Sequence, residues 1–184
     1  MGMEWNASGD FPKIARTAFI HETATLIGNV SIEGRVFVGP NAVIRADEPG
    51  PEGKVEPIVV CEEANIQDAV VIHALGGTGV KIGPRTSISH AAIVHGPCEI
   101  GADCFVGFGA VVFKATLGDG VVVLHRALVE GVTIPPGVHV PSMTAVCCEK
   151  HVGRLTPVPP ELAAFAEKVC RTNLFLVEAG LKKG

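Results

Sequence analysis

Branched aliphatic residues recur every six positions at Ile14, Ile20, Leu26, Ile32, Val38 and Ile44, and four residues after each of the first five stands a small or apolar one: Ala18, Ala24, Val30, Val36 and Ala42. The phase resumes at Val60, Ile66 and Ile72, and again from Ile82 through Ile88, Val94, Ile100 and Val106 to Val112. An amphipathic helix repeats its apolar face about every 3.6 residues, so a strict period of six excludes one. Repeats this short predict a parallel β-helix in which each hexapeptide is one strand and three make a coil. Two five-residue steps, Val112 to Leu117 and Val129 to Ile134, are phase slips in the same pattern.

The pattern divides the chain into an N-terminal arm over residues 1–13, a β-helix domain over 14–155 and a C-terminal segment over 156–184. In the last, the period changes to that of a helix. Leu162, Phe165, Val169, Leu176 and Gly180 fall on one face, and Glu161 sits in the first turn, where the helix dipole favours an acid. This face is expected to pack along the outside of the prism.

A three-sided coil allows outward residues to be placed. With Val94 on a face termed A, Ile88 lies on face B and Ile82 on face C; Ile72 returns to A if Leu75–Gly79 bulges out as a loop. His73 and His95 then occupy the same outward position on adjacent coils, about 4.8 Å apart. Two imidazoles at that spacing can share one metal ion. If residues 49–57 also loop out, Arg45 joins their column. His90 falls on face B, stacked over Asp68 with Gln67 beside it, and reaches a shared metal only on a neighbouring subunit. Face A of one chain meeting face B of the next gathers Arg45, His73 and His95 against Gln67, Asp68 and His90. The contact is head-to-tail, so a cyclic homotrimer is the simplest closure.

Composition narrows the classes. The chain has 184 residues, 47% of them hydrophobic, enough for one continuous core. A net charge of −4 offers no basic footprint for nucleic acid. Residues 1–10 lack the basic start and apolar run of a signal peptide, and no stretch is long enough to span a membrane, so a cytoplasmic location is expected. Cys98 and Cys104 fall at the small-residue position of consecutive repeats and read as buried hydrophobes; Cys147 and Cys148 are adjacent, and no CxxC occurs.

The run Asn41-Ala-Val-Ile-Arg-Ala-Asp-Glu48, then Asn65-Ile-Gln67-Asp68, His73-Ala-Leu, His90 and His95-Gly-Pro resembles the γ-class carbonic anhydrases, trimeric left-handed β-helix metalloenzymes. Val111-Val-Phe-Lys114, Gly131-Val-Thr-Ile-Pro135 and Thr172-Asn173 extend the likeness. The resemblance implies an all-β left-handed parallel β-helix of hexapeptide repeats with a C-terminal α-helix. It implies metal ligands His73, His90 and His95, an orienting Gln67, a substrate-positioning Asn65 and an intersubunit salt bridge from Arg45 to Asp68. Three neutral imidazoles leave a zinc ion one open position for water, and iron(II) or cobalt(II) fit the same donors. The activity implied is reversible hydration of carbon dioxide to bicarbonate by a metal-bound hydroxide at the subunit interface, with Glu48 the acid available to relay the proton. Two features depart from the best-studied members: a proton-ferrying glutamate three residues after the first ligand is Gly76 here, and the chain has no tyrosine. Hexapeptide acyltransferase or acyl-CoA thioesterase chemistry, and a catalytically weak scaffold of the same fold, are the competing readings.

Overall fold

The computed structural model describes residues 2–182. Residues 1, 183 and 184, the outermost positions of the expected arm and C-terminal segment, lie outside the described residues. The chain forms a left-handed parallel β-helix closed by a C-terminal helix. Face A stacks Gly2–Glu4, Thr25–Gly28, Val43–Ala46, Val71–Ala74, Ile93–Gly96, Val111–Phe113, Leu128–Glu130 and Ala145–Val146 in chain order. Face B includes Phe37–Val38, Asn65–Ile66, Ser87–Ile88, Phe105–Val106 and Val122–Val123; face C includes Val30–Ile32, Ile58–Val60, Val80–Ile82 and Cys98–Ile100.

The six-residue period becomes three inward columns. On face A, Leu26, Ile44, Ile72, Val94, Val112 and Val129 are fully buried one above another. Burying each such side chain contributes about 1.5–3 kcal/mol relative to leaving it in water. The small residues four places after the face-B positions Ile20, Val38, Ile88 and Val106, namely Ala24, Ala42, Ala92 and Ala110, are fully buried, because only a short side chain fits inside the corner. The phase slips fall at the corner from face A to face C, where Lys114 (φ 49°) and Gly131 (φ 66°) turn the chain in the left-handed region. The register is kept on both sides: Val112 pairs with Val129, and Leu117 with Ile134.

The segments between Ala46 and Ile58 and between Ala74 and Val80 leave the coil and meet each other. Their contact is close enough to require glycine. A Cβ on Gly50 would stand 2.7 Å from Gly77 Cα, and one on Gly76 would stand 2.5 Å from the Pro49 carbonyl oxygen. Upstream of Ile14, Gly2–Glu4 already adds a strand to face A, paired with Thr25–Ile27.

After a short helix α1 (Glu149–Val152), Thr156–Pro157 pairs antiparallel with Val138–His139, and helix α2 (Pro160–Leu181) runs back along face B. Its packed side differs from the expected stripe. The buried residues are Cys170, Asn173 and Val177, one position on from Val169 and Leu176, whereas Phe165 and Leu176 are 41% and 42% exposed. The helix lies close to the sheet, so shorter side chains fill the contact and the long apolar ones flank it. Gly180 does meet the sheet: a Cβ there would stand within the Phe19 ring's contact distance, 2.3 Å from Cδ2.

Candidate metal centre

Parallel pairing puts Arg45, His73 and His95 in one outward column, in the register Arg45–His73–His95–Phe113. His73 Nδ1 and His95 Nε2 stand 3.1 Å apart, with the rings edge to face. Two nitrogens on one tetrahedral zinc at 2.0–2.1 Å are separated by about 3.3 Å, so this spacing fits a shared ion. The other ring nitrogen of His73 faces acids, with Asp47 Oδ1 at 3.3 Å and Glu48 Oε1 at 3.5 Å. Such a carboxylate fixes which nitrogen carries the proton and turns the other toward a metal. Burial, and next the Arg45 guanidinium, lower the His73 pKa and keep the ring neutral, the form that ligates.

Asp47 was not singled out by residue-pattern reasoning, because it lies just past the strand, outside the repeating outward positions. It accepts from Arg45 Nη1 at 2.9 Å while contacting His73, and so ties the arginine to the histidine column. Within one chain Arg45 is therefore paired with Asp47; Asp68 lies on another face. Glu48 is held by the opposing loop, accepting from the Gly76 backbone N–H at 3.2 Å. Gly76 itself has no room for the missing glutamate, since Pro49 occupies the space of its Cβ.

The second half of the residue set lies along face B. His90 sits at the corner after Ser87–Ile88 and precedes Ala91, whose φ of 57° swings the chain onto face A. Its Nδ1 is 3.4 Å from Asp68 Oδ2, and both side chains are half-exposed. Beside them runs a buried amide relay. Gln67 Nε2 donates to Asn65 Oδ1 at 2.9 Å, and Asn65 Nδ2 donates to Ser87 Oγ at 2.7 Å. That direction leaves the Gln67 carbonyl oxygen to accept a hydrogen bond from a donor placed beside it. Ser87 was also missed, although its outward position level with Asn65 could have been counted from the repeat. Asn173 of α2 lines a groove shared with Gln67, Asp68 and His90, with one amide hydrogen given to the Val169 carbonyl at 3.0 Å.

His73, His95, Arg45, Asp47 and Glu48 thus gather on one side of the prism, and His90, Asp68, Gln67 and Asn65 on another. Among the described residues no three His, Cys, Asp or Glu side chains of one chain are placed to hold a metal ion. All six cysteines are free; Cys61, Cys98, Cys104 and Cys170 are buried, and burial pushes the Cys104 thiol up to about 11. No helix of the described residues is long and apolar enough to cross a membrane.

A β-helix prism built on a six-residue period, with a two-histidine column on one face and a lone histidine at another corner, defines a hexapeptide-repeat protein. The comparisons agree. Residues 79–114 match the family described as bacterial transferase hexapeptide (six repeats). The chain is 34% identical over 195 residues to a carbonic anhydrase of Methanosarcina thermophila, covering 95% of this chain and 76% of that protein. It is 36% identical over 179 residues to the carboxysome assembly protein CcmM of a Nostoc species, covering 92% of this chain but only 31% of that longer protein. A hexapeptide transferase family protein from Anaplasma phagocytophilum superimposes with a TM-score of 0.79 at 26% identity over 97% of both chains. The chain belongs to the hexapeptide-repeat family of left-handed β-helices, in its γ-class carbonic anhydrase branch.

Proposed function

We propose that the protein is a metal-dependent carbonic anhydrase acting on carbon dioxide and bicarbonate in the cytoplasm, with each site shared between neighbouring subunits of a homotrimer. The observation that carries the reading is the 3.1 Å nitrogen pair of His73 and His95 on one face, with His90 alone at a different corner. His73 and His95 of one subunit and His90 of the next would hold zinc, or iron(II) or cobalt(II), through three imidazoles. Bound there, such an ion supplies Lewis acidity that brings the ionisation of water down to about pH 7.

The chain's own groups supply the rest. Gln67, its donor end committed to Asn65, presents its carbonyl oxygen to accept a hydrogen bond from the water and orient its lone pair. Asn65 positions carbon dioxide with its second amide hydrogen. Glu48, 45% exposed and 3.5 Å from His73, links the ligand column to solvent and takes the outgoing proton. Arg45 and Asp68 meet across the interface and align the two faces. In the ring, Arg45 then bridges Asp47 of its own chain and Asp68 of the next.

Stopped-flow hydration by protein purified without oxygen and loaded separately with zinc and iron(II) tests this reading. Metal-dependent turnover supports it; a fully loaded trimer without turnover contradicts it. One observation favours a second reading: an apolar groove of about 430 Å³ beside His90, walled by Phe37, Phe105, Phe108 and Phe165, exceeds what carbon dioxide needs and suits an acyl group. Hydrolysis of an acyl thioester without carbon dioxide hydration would favour that alternative.

A further inference from the structure

His90 is half-exposed, yet a ligand must be held within a narrow angle to meet a metal carried by another chain. Its support comes from two residues to which no role has been assigned. Phe108 occupies the same corner one coil further on, with its ring centroid 5.4 Å from that of His90. His125 stacks on the far face of Phe108 at 4.3 Å and 16°. The stack is pinned by a directional bond, in which the Phe108 backbone N–H donates to His125 Nδ1 at 3.1 Å. A neutral His125 therefore carries its proton on Nε2. Room for the ring depends on Gly107, where a Cβ would stand 2.8 Å from His125 Nδ1.

The other end of the ladder is anchored in the body of the molecule. Fully buried Phe105 lies edge-on to His125 at 6.4 Å and to Phe165 of α2 at 5.4 Å. Phe108, by contrast, is 44% exposed, so burial alone gives little reason for an aromatic ring at that corner. Its position between His90 and His125 does.

We propose that Phe108 and His125 are positioning residues that hold the His90 ring in the orientation a metal shared with the neighbouring subunit requires. The inference rests on the metal-binding reading of His90 given above. Asp68 restrains the ring from the coil below and the ladder from the coil above.

The test measures zinc dissociation constants by chelator competition on intact trimers of the wild type, His90→Ala, Phe108→Ala, Phe108→Tyr and His125→Ala, with melting temperature and trimer mass recorded for each. Phe108→Ala and His125→Ala are expected to weaken zinc binding about 10-fold or more, as loss of a ligand's support typically does, with trimer mass unchanged. Phe108→Tyr keeps the ring and is expected to restore wild-type affinity. Long-range proton–nitrogen NMR of the metal-free protein at pH 8 reads the tautomer directly, and His125 is expected to be protonated on Nε2. If His90→Ala weakens binding but Phe108→Ala and His125→Ala do not, or if His125 carries its proton on Nδ1, the positioning role is wrong. If His90→Ala itself leaves the affinity unchanged, the metal reading has failed instead.

Discussion

His73 is the residue on which the proposed chemistry turns, because it touches every other polar group of its cluster: His95, Asp47, Glu48 and, through Asp47, Arg45. Burial first, and then Arg45, hold its pKa below the ordinary 6.5, so the unfolded chain takes up this proton more readily than the folded one. The contribution of neutral His73 to stability is therefore complete above pH 6.5 and is lost as pH falls toward the lower folded value. Acid unfolding of the metal-free protein followed by circular dichroism is expected to steepen below that pH, and His73→Gln to flatten the same limb. A second expectation concerns Gly76. Because the Pro49 carbonyl sits where its Cβ would go, Gly76→Glu should disturb the contact between the two loops, lowering the melting temperature without speeding turnover. Wild-type stability with faster turnover in weak buffer would show that the loop yields. Both expectations depend on contacts outside the six-residue count, which is why Asp47 and the closed space at Gly76 were not readable from spacing, whereas the columns of His73, His95 and Arg45 were.

At the level of elements, the strands were legible and the helix only in part. A strand alternates inward and outward with a fixed period, so counting from Val94 places His73 on face A and Asp68 under His90, as the pairing shows. A helix rich in apolar residues has more than one plausible stripe. Here the distance to the sheet decided between them, and Cys170, Asn173 and Val177 were taken inward in preference to the larger Phe165 and Leu176. Val177 is 1% exposed and Phe175 is 67% exposed. Val177→Asp should therefore cost roughly 2–4 kcal/mol by burying an unpaired polar group, whereas Phe175→Asp should change stability by no more than about 0.5 kcal/mol. Urea unfolding of both variants checks the difference. Equal costs would mean that α2 is seated by the stripe read from periodicity.

The whole molecule is a prism with His73 and His95 on one face and His90 on another, which on the proposed reading confines activity to the assembled ring. Faces A and B of different chains must meet for Gln67, Asn65 and His90 to approach His73 and His95. The division of ligands between chains is the central claim, and mixed trimers test it most directly. His73→Ala and His90→Ala homotrimers should both be inactive, because every interface in each lacks one ligand. In a ring of three, either mixed stoichiometry contains one interface that pairs an intact face A with an intact face B. Refolding the two variants together at equal concentration should thus restore metal binding and hydration to about a quarter of wild type, since roughly three-quarters of random trimers are mixed and each has one good site of three. A mixture of His73→Ala with His95→Ala carries both lesions on face A and should recover nothing. Recovery in the second mixture but not in the first would contradict the shared site.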